Sequence, residues 1–365
     1  MTRLIVAAGG GGDAVAAAML HAALYGDEDQ AVILTYSWDR LLIDPLPGPR
    51  CPADFTGLEH LTPAVWTVPA QARPIGPAGS TLPRLAAEFP HTFALLDPYQ
   101  GTQGLTHQLE DLVSHLEPES IDLLDVGGDI LARGDEPTLK SPLADALTLA
   151  ACCQVNAPVR LLVAGPGLDG ELPPEDISDV LGPVVHTFTA SDADAISAVL
   201  EWHPSEATAL LTATARGARG TCEIRDAGLP VPLTADSPTV HEVDLDDAVC
   251  RNQLARAVMA TSSLDEAEAH SREICGYSEI DYERNKALWL KEQQPAKLEP
   301  AAVWAQLDPF ESEARARGVT HTTFRRLTEA LNLSGSQRND LRQLLISRRP
   351  EQYDAPLWHI QMQPE

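Results

Sequence analysis

Leu4-Ile-Val-Ala-Ala-Gly-Gly-Gly-Gly-Asp-Ala-Val-Ala-Ala-Ala-Met-Leu-His-Ala-Ala-Leu24 is the stretch that decides the fold. Residues 4–8 form a short apolar run of strand length. Four glycines follow, then an alanine-rich segment. The pattern predicts a buried strand, a glycine turn and a helix. Glycine permits positive φ and lets a ligand approach the main chain closely. The first helical turn offers unpaired N–H groups and the positive end of the helix dipole, which suits an anion. Gly9, Gly11 and Ala14 also satisfy the dinucleotide fingerprint G-x-G-x-x-G/A. Asp13 stands where a pyrophosphate wants no negative charge, a conflict that a bridging metal ion would remove. The turn therefore favours phosphate or carboxylate held by Gly9, Gly10, Gly11 and Gly12, with NAD the weaker alternative.

Working outward, Ala31–Tyr36, His91–Leu96, Ile121–Val126 and Val159–Ala164 read as further strands. Helical patterns at Gly104–Leu116 and Pro142–Cys153 alternate with them, the second with Ser141 as a plausible N-cap. Such alternation predicts an α/β fold, a doubly wound, mainly parallel, Rossmann-like sheet, over residues 1–291. Ligands of such sheets bind at the carboxyl edge. A proline-rich excursion from about residue 40 to 90 leaves the sheet. A short strand at 184–188, a helix at 192–202, the run Ala207–Ala213, a hairpin at 221–228, a strand at 239–245 and a helix at 246–260 come next. Ser262 or Ser263 then caps another helix. After a polar linker at 292–300, residues 292–365 read as a helical C-terminal extension.

The chemistry concentrates where acidic and glycine residues fall together. Asp13, Asp39, Asp44, Asp97, Asp169 and Glu171 follow strands, and Asp125 and Asp129 bracket the end of another. One such residue is commonplace as a turn former. Five successive loops carrying them predict a crevice. Asp13, Asp129 and Asp169 are candidate metal ligands, for which Mg²⁺ is the expected ion. Asp129, Glu136, Asp169 and Glu171 are candidate catalytic groups, moving a proton or orienting water. Gly127, Gly128, Ser141, Asp145, Asp39 and Arg40 are candidate ligand contacts. Arg219, between glycines, is a candidate anion clamp. Each has a bland alternative, as a cap, a turn former or a solvated surface group. Trp38 and His21 read more readily as core.

The 365 residues carry 53 acidic and 26 basic side chains, a formal net charge of -27. That surface repels nucleic acid and anionic membranes, so neither is an expected partner. Hydrophobic residues make up 44% of the chain and aromatic ones 5%, so aliphatics and alanine must fill the core. No segment reaches membrane-spanning length and no signal-peptide pattern opens the chain, which predicts a cytoplasmic protein. The six cysteines form no CxxC pair and read as buried free thiols. The arginines of the last helices, such as Arg317, Arg325, Arg326 and Arg342, suggest docking onto the acidic body or a subunit contact; a homo-oligomer is compatible with this.

The ordered set Gly9–Asp13, Trp38-Asp-Arg40, Asp44-Pro with Pro47-Gly-Pro-Arg50, Asp125-Val-Gly-Gly-Asp129, Ser141-Pro-Leu-Ala-Asp145 and Gly165-x-Gly-x-Asp-Gly-Glu171 resembles the archaeal and actinobacterial family known as domain of unknown function 1152. The resemblance spans roughly Met1 to Cys275. It implies that these motifs make one site and carries no reaction with it. The leading expectation is an enzyme acting on a small phosphorylated, nucleotide-like or carboxylate metabolite with Mg²⁺. An NAD-type oxidoreductase and a non-catalytic sensor or assembly subunit are the alternatives.

Overall fold

The computed structural model describes residues 2–26, 30–225 and 227–360. The opening stretch is strand β1 (Arg3–Gly10) and helix α1 (Gly12–Tyr25), joined through Gly11, whose φ is 57°. Strand β2 (Ala31–Tyr36) pairs in parallel beside β1. The proline-rich excursion contains four two-residue strands, β3 (Phe55–Thr56), β4 (Glu59–His60), β5 (Trp66–Thr67) and β6 (Arg73–Pro74), before helix α2 (Leu82–Glu88). Then come β7 (Thr92–Leu96), α3 (Gly101–Leu116), β8 (Ile121–Val126), α4 (Pro142–Gln154) and β9 (Val159–Ala164). Shorter elements follow: α5 (Pro174–Ile177), β10 (Val184–Thr187), α6 (Ala190–Asp194) and α7 (Ser197–Leu200). The apolar run at 207–213 lies in α8 (Glu206–Ala215).

The central sheet has the order β10-β13-β9-β8-β1-β2-β7-β5-β4, where β13 is Thr239–Val243. Its five middle strands, β9, β8, β1, β2 and β7, are parallel; the strands at both edges are antiparallel. Strand order reverses at β1, from which the chain first moves towards β7 and later returns to β8 on the other side. The reason the Leu4–Ala8 run of β1 is apolar is visible in its burial. Leu4, Val6 and Ala8 pack into one core with Leu105, Leu109 and Leu112 of α3 and Leu147 of α4. Ile5 and Ala7 pack into the opposite core with Val15 and Met19 of α1 and Leu211 of α8. A strand covered on both faces needs no polar alternation.

The hairpin expected at 221–228 is β11 (Gly220–Ile224) and β12 (Leu229–Leu233); Asp226 in its turn lies outside the described residues. After β13 come α9 (Leu245–Arg251), α10 (Gln253–Val258), α11 (Leu264–Cys275) and α12 (Glu279–Glu292). Ser263 caps α11, its side chain accepting from the Glu266 N–H at 3.3 Å. Ser263→Ala should therefore cost about 1 kcal/mol, read as a lower midpoint in urea with an unchanged slope.

The remaining segment differs from the helical extension expected of it. It holds α13 (Pro300–Ala316), α14 (Phe324–Ala330) and α15 (Arg338–Arg348), but also the short strands β14 (His321–Thr322), β15 (Tyr353–Asp354) and β16 (Leu357–His359). These strands join the hairpin in a second sheet of order β12-β11-β14-β16-β15. Trp358 is fully buried among Leu307, Phe324 and Leu345, with its ring N–H on Glu311 at 2.9 Å. The segment's arginines meet acids of the body: Arg317 and Arg326 pair with Glu223, Arg325 with Glu206 and Arg342 with Glu201. The cysteines are not uniformly buried, Cys250 being exposed. Among the described residues no helix is long and apolar enough to cross a membrane.

Candidate functional site

The carboxyl ends of β1, β2, β8 and β9 open into one cleft beside the point where strand order reverses. An inner chamber of about 110 Å³ is bounded by the glycine turn, Asp13, Asp129, Asp145, Asp169 and His203, among others. It shares Arg40, Arg225, Glu279, Glu283 and Arg325 with an outer chamber of about 540 Å³.

Each carboxylate is positioned by its own turn. Asp13 sits in the first turn of α1 and accepts the Gly9 N–H at 2.9 Å. The Gly9 N–H is therefore already taken, and the free donors of the turn begin after it. Asp125 accepts the Gly128 N–H through Oδ2 at 2.7 Å. Asp169 accepts the Glu171 N–H through Oδ1 at 2.9 Å. A Cβ on Gly127, whose φ is 119°, would lie 2.3 Å from the Asp169 carboxyl carbon. Gly127 and Gly128 thus shape the carboxylates and do not line the cleft. Carboxylate oxygens of Asp13, Asp125 and Asp145 lie within 4.8 Å of one another, as do those of Asp129, Asp169 and Glu171.

Burial of so many acids in one place sets their protonation. Burial pushes Asp13 up to about 7, against the Gly9 hydrogen bond and the charge of Arg40. Asp169 rises to about 7 through burial and the charge of Glu171. Asp125, Asp129 and Asp145 are raised well above the usual carboxylate range by burial, then by neighbouring carboxylates: Asp13 and Asp169 for Asp125, Asp145 and Asp125 for Asp129, and Asp125 and Asp13 for Asp145. Glu279 rises to about 8 by burial and its neighbour Glu283. These are groups able to hold or release a proton near neutrality.

Glu171 behaves differently. Burial acts to raise it, yet Arg225 and its hydrogen-bond donors overcome that and hold it below its ordinary value. The donors are the N–H groups of Lys140 and Ser141, the Ser141 hydroxyl at 2.6 Å and Arg225 at 2.7 Å. Glu171 is an ionised anchor joining three loops, not a proton carrier. Ser141 occupies the N-cap position of α4, but its side chain caps nothing and donates to Glu171 instead.

Two other residues expected at the site lie away from the cleft. The Glu136 carboxylate accepts the N–H groups of Arg133 and Gly134, closing its own loop. Arg219 donates to the carbonyls of Thr214 and Ala218 at the end of α8. The cation facing Glu171 and Asp169 is Arg225, six residues on, across strand β11. Asp39 borders the cleft beside Arg40, with its oxygens accepting from the Thr81 N–H at 3.0 Å and hydroxyl at 2.7 Å. Burial raises it to about 6. Trp38 is buried, and its ring N–H donates to both oxygens of Glu283 at 3.1 Å. His21 is buried in edge-on contact with His91.

His203, Glu206, Arg225, Glu279, Glu283 and Arg325 line the cleft without having been singled out from the sequence for this role. Glu279 and Glu283 are one helical turn apart on α12, an acidic i, i+4 pair that was the available signal. The others follow no strand of the parallel core.

Fold and site together define an α/β protein with a carboxylate-lined cleft at the carboxyl ends of its parallel strands. The chain belongs to the family described as "Protein of unknown function (DUF1152)", whose model matches residues 4–287. No curated protein and no solved structure matches it. The matched span includes Glu279 and Glu283 and stops before Arg325.

Proposed function

We propose that the protein is an enzyme that uses a divalent cation, Mg²⁺ by chemistry, to act on a small phosphorylated, nucleotide-like or carboxylate metabolite. The observation that carries this reading is a set of orphaned oxygens. Asp125 Oδ1, Asp145 Oδ1 and Asp169 Oδ2 are buried and have no hydrogen-bond partner. Buried carboxylate oxygens without donors are costly unless a proton or a cation sits against them. Oxygen-only donor sets spaced within 4.8 Å suit a hard divalent ion. Asp13, Asp125 and Asp145 would form one such set. Asp129 and Asp169 would supply the second, with Glu171 committed to Arg225.

In this reading the cation neutralises the acids and polarises the anionic group of the substrate. With Asp169 committed to the cation, Glu279, outside both sets, would carry the proton exchanged with water or the substrate. The sheet is read as doubly wound and Rossmann-like, with its ligand at the reversal of strand order. Metal-assisted chemistry is favoured over NAD by one further feature: Asp39 is tied to Thr81 and is not offered to a ribose.

The test is calorimetric titration of Mg²⁺, with and without nucleotides, into the wild type and Asp129→Asn. The expected result is at least about tenfold weaker binding by the variant. Equal affinity for every ligand would remove Asp129 from the site and the reading with it.

A further inference from the structure

We propose that His203 and the N–H groups of Gly11, Gly12 and Asp13 form a phosphoryl-binding site, so that the substrate presents a phosphoryl group, not a carboxylate, to the glycine turn. The inference rests on the anionic-substrate part of the reading above and is independent of its metal part.

The imidazole carries the argument. His203 is 5% exposed and lines the inner chamber. Its Nδ1 accepts the Ser205 N–H at 3.3 Å, so in the neutral ring the proton sits on Nε2. Nε2 is buried and has no hydrogen-bond partner. Burial, then the charge of Arg338, holds His203 down to about 3, so the ring stays neutral. It is a donor in search of an acceptor. A buried donor left unmade costs about 1–3 kcal/mol, and a ligand oxygen recovers that cost.

The space it faces is the glycine turn. A Cβ on Gly11 would lie 3.8 Å from His203 Cε1 and 4.0 Å from Nε2. Gly11 therefore keeps open the volume between the ring and the start of α1. That helix has 14 residues, so its first turn presents both free N–H groups and a full dipole. The acid nearest the same space, Asp39, has both oxygens occupied by Thr81.

The geometry selects a tetrahedral anion. One set of donors comes from the backbone at the start of α1, the other from a side chain in the loop before α8. The carboxylates of Asp13 and Asp145 stand beyond, next to Gly9. A planar carboxylate has two oxygens in one plane. A phosphoryl group has three, enough to meet the helix, the imidazole and the cation or proton that the acids hold.

The experiment titrates inorganic phosphate, and separately acetate, into the protein in Mg²⁺ buffer, with Mg²⁺ alone titrated in parallel. His203→Phe should weaken phosphate binding by about tenfold or more and leave Mg²⁺ binding unchanged. His203→Gln, which keeps an N–H near the Nε2 position, should restore most of it. Gly11→Ala would strain the turn at its φ of 57° as well as fill the space, so where His203→Phe fails to fold the imidazole spectrum of the wild type carries the test. In the ¹⁵N spectrum of the imidazoles, His203 should be the neutral Nε2–H tautomer and should shift with phosphate but not acetate. Equal phosphate affinity in the wild type and His203→Phe, no phosphate binding by the wild type, or acetate binding as tight as phosphate would each overturn the proposal. His203-dependent phosphate binding without Mg²⁺ binding would overturn the metal reading and uphold this one.

Discussion

Stripped of divalent metal, the protein should lose about 5 °C of thermal stability between pH 6.5 and pH 8.5, and saturating Mg²⁺ should remove about half of that loss. The sign follows from the direction of the shifts. Asp13 and Asp169 are held near 7 in the fold against 3.8 for an ordinary aspartate, and Glu279 near 8 against 4.5. The folded state therefore binds more protons than the unfolded chain across this window. Stability from such groups is complete below the unfolded value and is lost as pH rises through the folded one. Each proton released costs about 1.4 kcal/mol per pH unit. The window starts at pH 6.5 for a reason. His203 is depressed in the fold, so below its unfolded value it acts in the opposite sense and would mask the trend.

A cation that replaces the protons on Asp13 and Asp169 removes their share of the loss, while Glu279, outside both carboxylate sets, goes on titrating. The measurement is a pair of thermal melts at matched ionic strength, with Mg²⁺ against a monovalent salt. The monovalent control matters because a chain of net charge -27 also gains stability from general screening. A flat profile without metal would mean that the cleft acids are ionised and paired as they stand.

The acids that follow parallel strands were legible because topology makes them converge. Asp13, Asp129 and Asp169 sit in the turns after β1, β8 and β9, neighbours in the sheet, and local pattern alone identified those strands. The other half of the cleft had no such address. Glu279, Glu283 and Arg325 come from segments whose placement depends on packing across more than 100 residues. His203 lies in a loop before a helix, and only its tautomer and its unpartnered Nε2 mark it out. Arg219 and Arg225 show the limit most clearly. Both follow the same helix, yet the first turns back to cap it and the second crosses a strand to reach Glu171. The C-terminal strands were hidden for a different reason: two or three residues carry no period. Their pairing with β11 and β14 is a tertiary fact.

Asp145→Asn should make the metal-free protein more stable at pH 8, by about 1–3 kcal/mol, while weakening Mg²⁺ binding by about 100-fold. Asp145 is 3% exposed, and its Oδ1 has no partner. Its charge is opposed by burial and by Asp125 and Asp13. Asparagine keeps the shape, removes the charge and brings an N–H₂ that those neighbours can accept. Glu171→Gln is the informative contrast. It leaves Arg225 buried against a neutral partner and removes the charge that four donors address, so it should destabilise by about 3–5 kcal/mol. Both residues are buried acids in one cleft, and ordinary reasoning from burial would predict that each substitution harms the fold. A carboxylate kept for a ligand is a strain on the empty protein, whereas one kept for the fold is a support. Opposite signs at 145 and 171, read from denaturation midpoints without metal, would separate the two. If both variants were destabilised alike, Asp145 would be structural, and the first metal set would lose its central member.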